Sequence, residues 1–123
     1  MKGGENEMDE VCQVNTIHKD KVNAVKNSLE QKDFSQLLVL GKCFNDSSRI
    51  KIFYALETHK EMCVCDLAEI LNTSISTTSH HLRFLKKHKM AKSRQDGKLV
   101  YYSLANQEVI SAVQLFLNLS MKF

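Results

Sequence analysis

The sequence of 123 residues contains no proline, no low-complexity stretch and no internal repeat. These absences exclude a proline-rich linker and a repeat array, so we predict one domain. The length suits a single domain with a buried core but not a catalytic domain joined to a regulatory one. The sequence also lacks the apolar run of about 18 residues that a membrane span needs, and its first eleven residues lack the apolar stretch of a signal peptide. We therefore expect a cytoplasmic protein without membrane contact.

Four cysteines are present. In a reducing compartment, thiols are better candidates for metal or redox chemistry than for a disulfide framework. A catalytic role for them is not indicated, because no nucleophile with a recognisable base, no phosphate-binding loop and no pair of carboxylates in a pocket-forming segment is found. We therefore expect a protein that is not an enzyme and needs no organic cofactor.

The net charge of +3 is small, but it is unevenly distributed. Residues 1–40 contain five Lys against seven Asp and Glu, whereas residues 73–98 contain seven basic residues against one acidic residue. A basic cluster of this kind is typical of a surface that binds a phosphate backbone, although a solvated basic face has the same composition. The local organisation of the segment has to decide between these two interpretations.

Apolar residues recur at helical spacing in several segments. We predict helices over residues 21–30, 34–44, 49–57, 67–71, 75–87 and 107–123. The stretch 46–48 can cap the third helix, and Asp66 with Glu69 resembles a capping box at the start of the fourth. The last helix is more apolar than an exposed terminal helix should be, so we expect it to be buried against a partner subunit.

The fourth and fifth predicted helices are joined by the short polar turn 72–74, which is typical of a helix-turn-helix. We expect the fifth helix to turn an apolar stripe inward, consisting of Ile75, Thr78, Leu82 and Leu85. The opposite positions all carry side chains that can donate a hydrogen bond to a base edge or a phosphate. These predicted DNA contacts are Ser76, Thr77, His80, Arg83 and Lys87.

A β-hairpin is predicted next, with strands over residues 90–94 and 99–104 and an Asp-Gly turn between them. Arg94 and Lys98 are expected at its tip, where they would contact the DNA backbone or the minor groove. A helix-turn-helix followed by a basic hairpin predicts a winged helix. The expected fold is therefore mainly α with a β-hairpin wing.

Cys63 and Cys65 lie two residues apart at the predicted start of the fourth helix. In an extended segment both thiols would face one ion, and a helix N-terminus favours the thiolate that binds metal. Two buried structural cysteines would have the same spacing, so this alternative stays open. A metal site would need a third ligand, for which Cys12 is the candidate, with His18 as a fourth donor. Cys43 is expected to be a small buried hydrophobic residue.

Three segments together resemble the ArsR/SmtB family of metal-responsive winged-helix repressors, and within it the CadC-type sensors of cadmium, lead and zinc. These segments are 61–68 (EMCVCDLA), 78–85 (TSHHLRFL) and 96–104 (DGKLVYYSL). The resemblance extends from about residue 12 to residue 104. It implies that Cys63 and Cys65 provide a thiolate pair, completed by Cys12 from the N-terminal arm of the other subunit in a homodimer.

The sequence departs from the family pattern at two places. A second arm cysteine of the family would fall at Thr16, which leaves three sulfur ligands. The positions of a second family metal site on the last helix hold side chains that cannot form that ligand set, namely Asn106, Glu108, Leu119 and Lys122. We therefore expect the metal site to consist of Cys12, Cys63 and Cys65, with His18 or water.

The resemblance implies a homodimeric repressor that dimerises through its N- and C-terminal helices and binds an inverted-repeat operator in double-stranded DNA. Residues 1–18 would form a metal-binding arm, and residues 19–123 the DNA-binding and dimerisation domain. Cd²⁺, Pb²⁺ or Zn²⁺ would release the operator and derepress metal-resistance or efflux genes. Two alternatives are a redox switch, in which Cys12 forms a disulfide with Cys63 or Cys65, and a constitutive DNA-binding protein with structural thiols.

Overall fold

The computed structural model describes residues 16–121, which fall in two compact units, Met1–Phe34 and Ser35–Phe123. Cys12 and most of the predicted N-terminal arm lie outside the described residues. Lys122, at the other end, does so as well. Among the described residues, no helix is long and apolar enough to cross a membrane.

The first unit contains one described helix, α1 (Lys19–Glu30), which has His18 at its N-cap position. This helix buries none of its side chains. Val22, Val25 and Leu29 are spaced so that they share one side of the helix, and between a third and three-fifths of each is exposed. An apolar stripe on an otherwise charged helix indicates that α1 is built to pack against another surface.

The second unit contains five helices and three strands in its described part. In chain order these are α2 (Ser35–Cys43), α3 (Ser47–His59), β1 (Glu61–Cys63), α4 (Val64–Leu71), α5 (Ile75–Lys87), β2 (Ala91–Asp96), β3 (Leu99–Leu104) and α6 (Gln107–Met121). The strands form an antiparallel sheet in the order β1-β3-β2. The predicted fold, mainly helical with a β-hairpin wing behind a helix-turn-helix, is confirmed.

The core of this unit is built around α3. The carboxylate of Asp46 accepts a hydrogen bond from the backbone N–H of Arg49 and thereby caps the helix, as the sequence predicts. Inward-facing residues of α3 pack against apolar side chains of α4, α5, α6 and the sheet. The largest fully buried side chains include Ile52, Phe53, Leu56, Leu67, Leu82, Leu85 and Val113.

Helix α4 begins earlier than the sequence predicts, and the proposed capping box is wrong. The helix starts at Val64 with Cys63 as its N-cap residue, so Asp66 lies inside the first turn. Two causes act together. Val64 is buried in the core, which favours extending the helix, and Cys63 is held in an extended conformation because β1 pairs with β3. The sequence did not predict β1.

Two details of the helix-turn-helix and the hairpin also differ from prediction. Thr78, Leu82 and Leu85 are buried as expected, but Ile75 is 54% exposed because the first turn of α5 extends beyond the core. In the hairpin, β2 continues to Asp96, and Gly97 adopts a positive φ of 63°. The turn therefore consists of Gly97 and Lys98, one residue later than the predicted Asp-Gly turn.

Candidate functional site

The second helix of the helix-turn-helix, α5, is held at its N-terminus by Ser74. The Ser74 side-chain oxygen accepts a hydrogen bond from the Thr77 backbone N–H at 3.0 Å and donates one to Thr77 Oγ1 at 3.0 Å. The buried Thr78 hydroxyl donates to the Ser74 carbonyl at 2.9 Å, which satisfies the one polar side chain among the buried residues of α5. This network fixes where α5 begins and therefore which side chains face outward.

The five predicted DNA contacts on α5 are all exposed. They are Ser76, Thr77, His80, Arg83 and Lys87. Within the described part of the chain, neither Arg83 nor Lys87 forms an ion pair with an acidic side chain. Both cations are therefore available to a phosphate or to the major-groove edge of a guanine, which Arg recognises best.

Arg49 anchors the inner side of α5, a role that the sequence analysis missed. Its guanidinium lies 4.4 Å from the centre of the Phe84 ring and donates to the backbone carbonyls of Lys42 and Cys43 at 2.7 and 3.3 Å. Its Nη1 also lies 3.5 Å from Nδ1 of His81. The available signal was an arginine in the first turn of a helix, where the helix dipole disfavours a cation unless other contacts hold it.

The wing presents its two predicted basic contacts in different ways. Lys98 lies in the turn and is exposed, as expected. The prediction that Arg94 lies at the tip is wrong, because Arg94 is inside β2, directly opposite Tyr101 in β3. Its guanidinium lies 4.6 Å from the centre of the Tyr101 ring and donates two hydrogen bonds of 2.7 Å to the Glu61 carboxylate. These hydrogen bonds hold the pKa of Glu61 below its usual value and raise the pKa of Arg94.

The two candidate thiol ligands lie where β1 meets α4. Cys63 ends β1 and is only 7% exposed, whereas Cys65 lies in the first turn of α4 and is exposed. The expectation that an extended segment turns both thiols to one side is wrong, because only Cys63 is extended and Cys65 is helical. Both residues do lie at the N-terminus of α4, as the sequence predicts.

The chemistry of this pair fits a soft metal ion but does not complete a site. Among residues 16–121, no cluster of three or more His, Cys, Asp and Glu side chains is arranged to hold a metal. Thiolate sites for Zn²⁺ and similar ions need three or four ligands. A metal ion held by this pair would therefore need a ligand from outside the described residues or from a second copy of the chain. His18 belongs to the first unit, at the N-cap position of α1.

Two further parts of the sequence prediction concern Cys43 and the positions of the second family metal site. Cys43 is completely buried, as predicted, and its burial raises the pKa of the thiol, partly offset by Arg49. The Asn106 side chain accepts a hydrogen bond from the Val109 backbone N–H at 2.9 Å and thereby caps the N-terminus of α6. Glu108 and Leu119 are exposed on α6 and offer a single carboxylate between them.

A helix-turn-helix with an exposed basic face, followed by a β-hairpin wing that pairs with β1, defines a winged helix-turn-helix protein. Comparison with solved structures supports this class. The homodimeric winged helix-turn-helix DNA-binding domain Mb0332 of Mycobacterium bovis superimposes with a TM-score of 0.68 at 24% identity, covering 75% of this chain and 89% of that one.

The chain belongs to the arsR family of bacterial regulatory proteins, whose family model matches residues 46–93. The cadmium resistance transcriptional regulatory protein CadC of Listeria innocua is 42% identical over 110 residues, which cover 89% of this chain and 92% of that protein. A CadC homologue of Staphylococcus aureus is 44% identical over 105 residues, which cover 85% and 87%. These relatives are transcriptional regulators, so this chain is a regulator and not an enzyme.

Proposed function

We propose that this protein is a transcriptional repressor that binds operator DNA as a homodimer and releases it when a soft metal ion binds. The observation that carries the proposal is the position of the thiol pair. Cys63 and Cys65 lie at the start of α4, and α4 packs directly against the recognition helix α5. A ligand held by these thiols therefore acts one helix away from the DNA-binding surface.

For DNA binding, we assign α5 to the major groove and the wing turn to the backbone. The proposed contacts are Ser76, Thr77, His80, Arg83, Lys87 and Lys98. All six are exposed, and the hydroxyl, imidazole, guanidinium and ammonium groups they carry suit base edges and phosphates. Arg94 differs from these residues because Glu61 already occupies its guanidinium.

A dimer is proposed because two recognition helices about 34 Å apart can enter successive major grooves of an inverted repeat. The surfaces proposed to form it are the apolar stripe of α1 and an apolar stripe of α6 that consists of Ala112, Leu115, Phe116 and Leu119. Each stripe is exposed on its own helix, and apolar stripes on helices are normally covered.

For metal binding, we assign thiolates of Cys63 and Cys65 to the ion, with Cys12 as the third donor and His18 as a fourth. Sulfur-rich sites of this kind favour Cd²⁺, Pb²⁺ or Zn²⁺ over Mg²⁺ or Mn²⁺. The relatives from Listeria innocua and Staphylococcus aureus are named for cadmium resistance, which supports a metal inducer and cadmium as the first to test. Genes for metal resistance or efflux are the proposed targets.

The proposed mechanism is a change of dimer geometry. Ligation would draw Cys63 and Cys65 toward Cys12 and shift the start of α4. Because α4 and α5 are joined by the short turn 72–74 and pack together, α5 would move with α4. A movement that alters the spacing of the two recognition helices lowers operator affinity. Coupling between ligand sites is typically about 1–3 kcal/mol, which corresponds to about a 5- to 150-fold change in affinity.

The test compares cysteine variants on a DNA duplex that the metal-free, reduced protein has selected from a random pool. We expect Cd²⁺ to release this duplex from the wild type, and Cys63→Ser and Cys65→Ser to keep it bound. Cys43→Ala is the matched control and should respond like the wild type, because Cys43 is completely buried and belongs to α2, not to β1 or α4. Normal release by Cys63→Ser would contradict the proposed site.

The same assay separates the proposal from the two alternatives. A redox switch predicts that peroxide releases the duplex without metal, whereas the metal-responsive repressor should need Cd²⁺ and be indifferent to mild peroxide. A constitutive DNA-binding protein would respond to neither treatment.

A further inference from the structure

A side-chain ion pair joins two strands of the sheet that are not neighbours. Glu61 lies in β1 and Arg94 lies in β2, with β3 between them in the sheet. The Arg94 guanidinium lies over the Tyr101 ring, 4.6 Å from the ring centre. It donates a 2.7 Å hydrogen bond to each carboxylate oxygen of Glu61. Neighbouring strands are about 4.8 Å apart, so this pair spans roughly twice that distance.

The register of the sheet places Cys63, one of the two thiols, next to this ion pair. Cys63 in β1 is directly opposite Tyr101 in β3, and Tyr101 is directly opposite Arg94 in β2. Glu61 is two residues before Cys63 on the same strand, so both side chains leave β1 on the same face. Because β1 is only three residues long, a single residue, Met62, separates Glu61 from Cys63.

Strand β2, which carries Arg94, also contacts the recognition helix α5. Ser93, next to Arg94, accepts a 2.7 Å hydrogen bond from the Lys86 ammonium in the last turn of α5. A continuous set of contacts therefore runs from Cys63 through Glu61 and Arg94 to the wing and α5. The backbone ladder alone joins β1 to β3 and β3 to β2, whereas the ion pair joins β1 to β2 directly.

We propose that the Glu61–Arg94 pair is a positioning contact that couples the thiol pair to the wing and the recognition helix. The proposal rests on the proposed function, because it concerns the regulation of that same site. Glu61 fixes the orientation of β1 relative to β2, so a ligand that displaces Cys63 also displaces the wing. Coupling of this kind requires an element whose arrangement both sites bias, and in this proposal that element is the sheet of β1, β3 and β2. Arg94 acts through Glu61 and does not contact DNA.

The first test is Glu61→Gln, which removes the charge and keeps the shape. We expect the metal-free variant to bind the selected duplex within about threefold of the wild type and to bind Cd²⁺ with the same sulfur-to-metal absorbance. The ratio of duplex affinities without and with Cd²⁺ should fall by about two- to fivefold, because both side chains are exposed and an exposed ion pair contributes no more than this. Glu69→Gln is the matched control, because Glu69 is an exposed glutamate on α4. It should keep the wild-type ratio.

The second test is a double-mutant cycle with Arg94→Gln. If the two side chains act as one unit, the double variant should lose no more of the Cd²⁺ response than either single variant. Arg94→Gln should also leave the salt dependence of DNA binding unchanged. A slope reduced by about 0.9 would show that Arg94 neutralises a phosphate, and this would overturn the positioning role.

These outcomes separate the positioning contact from the proposed function. If the wild-type protein does not release DNA with Cd²⁺, the proposed function fails. If the wild type responds and Glu61→Gln responds equally or more strongly, the proposed function stands and the positioning contact is overturned. Additive losses in the double variant would overturn it as well.

Discussion

Two sides of the Ser35–Phe123 unit differ sharply in what they expose. Helix α5 and the wing present hydroxyl, imidazole and basic side chains. Helix α6 has three distinct sides instead. One side, with Val109, Val113 and Leu117, packs on the core. A second side is polar, and a third carries a stripe of partly or fully exposed apolar residues. The members of this α6 apolar stripe are Ala112, Leu115, Phe116 and Leu119.

The difference shows that α6 has more apolar surface than its own core can cover. The Phe116 ring is 51% exposed although it packs on Phe44 with the ring centres 4.7 Å apart. An open groove of about 740 Å³ continues from Phe116 between α2 and α6, lined in part by Leu37 and Leu40. The α5 side therefore suits a polyanion, and the α6 side suits an apolar protein surface. A dimeric DNA-binding protein requires one surface of each kind.

The largest effect is expected from a charge placed in the α6 apolar stripe. Leu115→Lys should convert the dimer to a monomer, because it would bury an ammonium in an apolar interface. Operator affinity should then fall by about 100-fold or more, since the two half-sites would no longer be bound together. Sedimentation and DNA-binding assays measure the two effects. Asn118→Lys is the control, placing the same charge on the polar side of α6, and equal dissociation by both variants would show that the stripe is not the interface.

A smaller effect is expected from the polar side. Arg83→Ala should weaken operator binding by about 5- to 150-fold, because an Arg contact to a base is worth about 1–3 kcal/mol. The variant should remain a dimer and bind Cd²⁺ normally, in contrast to Leu115→Lys. Lys51→Ala on α3 removes an exposed cation elsewhere and should have little effect. Unchanged DNA binding by Arg83→Ala would mean that α5 is not the recognition helix, or that a different face of α5 contacts DNA.

The smallest effect concerns the reactivity of two thiols, Cys43 in α2 and Cys65 in α4. Cys65 is exposed at a helix N-terminus, whereas Cys43 is buried in α2 and burial raises the pKa of its thiol. Since the thiolate is the reactive form, iodoacetamide should modify Cys65 well before Cys43. Mass spectrometry of the native, reduced protein follows both rates. Equal rates would indicate that the core around Cys43 opens readily.

The sequence predicts the helix-turn-helix and the wing well because their signals are local. Helix α5 begins and ends as predicted, since Ser74 is a good cap and Thr78, Leu82 and Leu85 mark the buried side. Periodicity does not show where the core ends, so it wrongly assigned Ile75 to the interior. The strand β1 is too short to carry a pattern of its own, and its partner β3 lies about 40 residues away.

The candidate site was predictable only in part, for the same reason. The exposure of the α5 side chains follows from helical geometry. The pairing of Glu61 with Arg94 joins residues 33 positions apart and depends on the register of the whole sheet. No local sequence pattern predicts this ion pair. The two thiols were found by their spacing, but their different backbone conformations follow from β1, which the sequence did not reveal.

The central claim is that ligation of the thiol pair and release of DNA are one event. The most direct test is a Cd²⁺ titration of the reduced wild-type protein bound to its selected duplex, recording sulfur-to-cadmium absorbance and DNA anisotropy in the same samples. We expect absorbance to rise as anisotropy falls, and both to reach their end points at the same Cd²⁺ concentration. Saturation of the absorbance with the duplex still bound, or release without the absorbance, would contradict it.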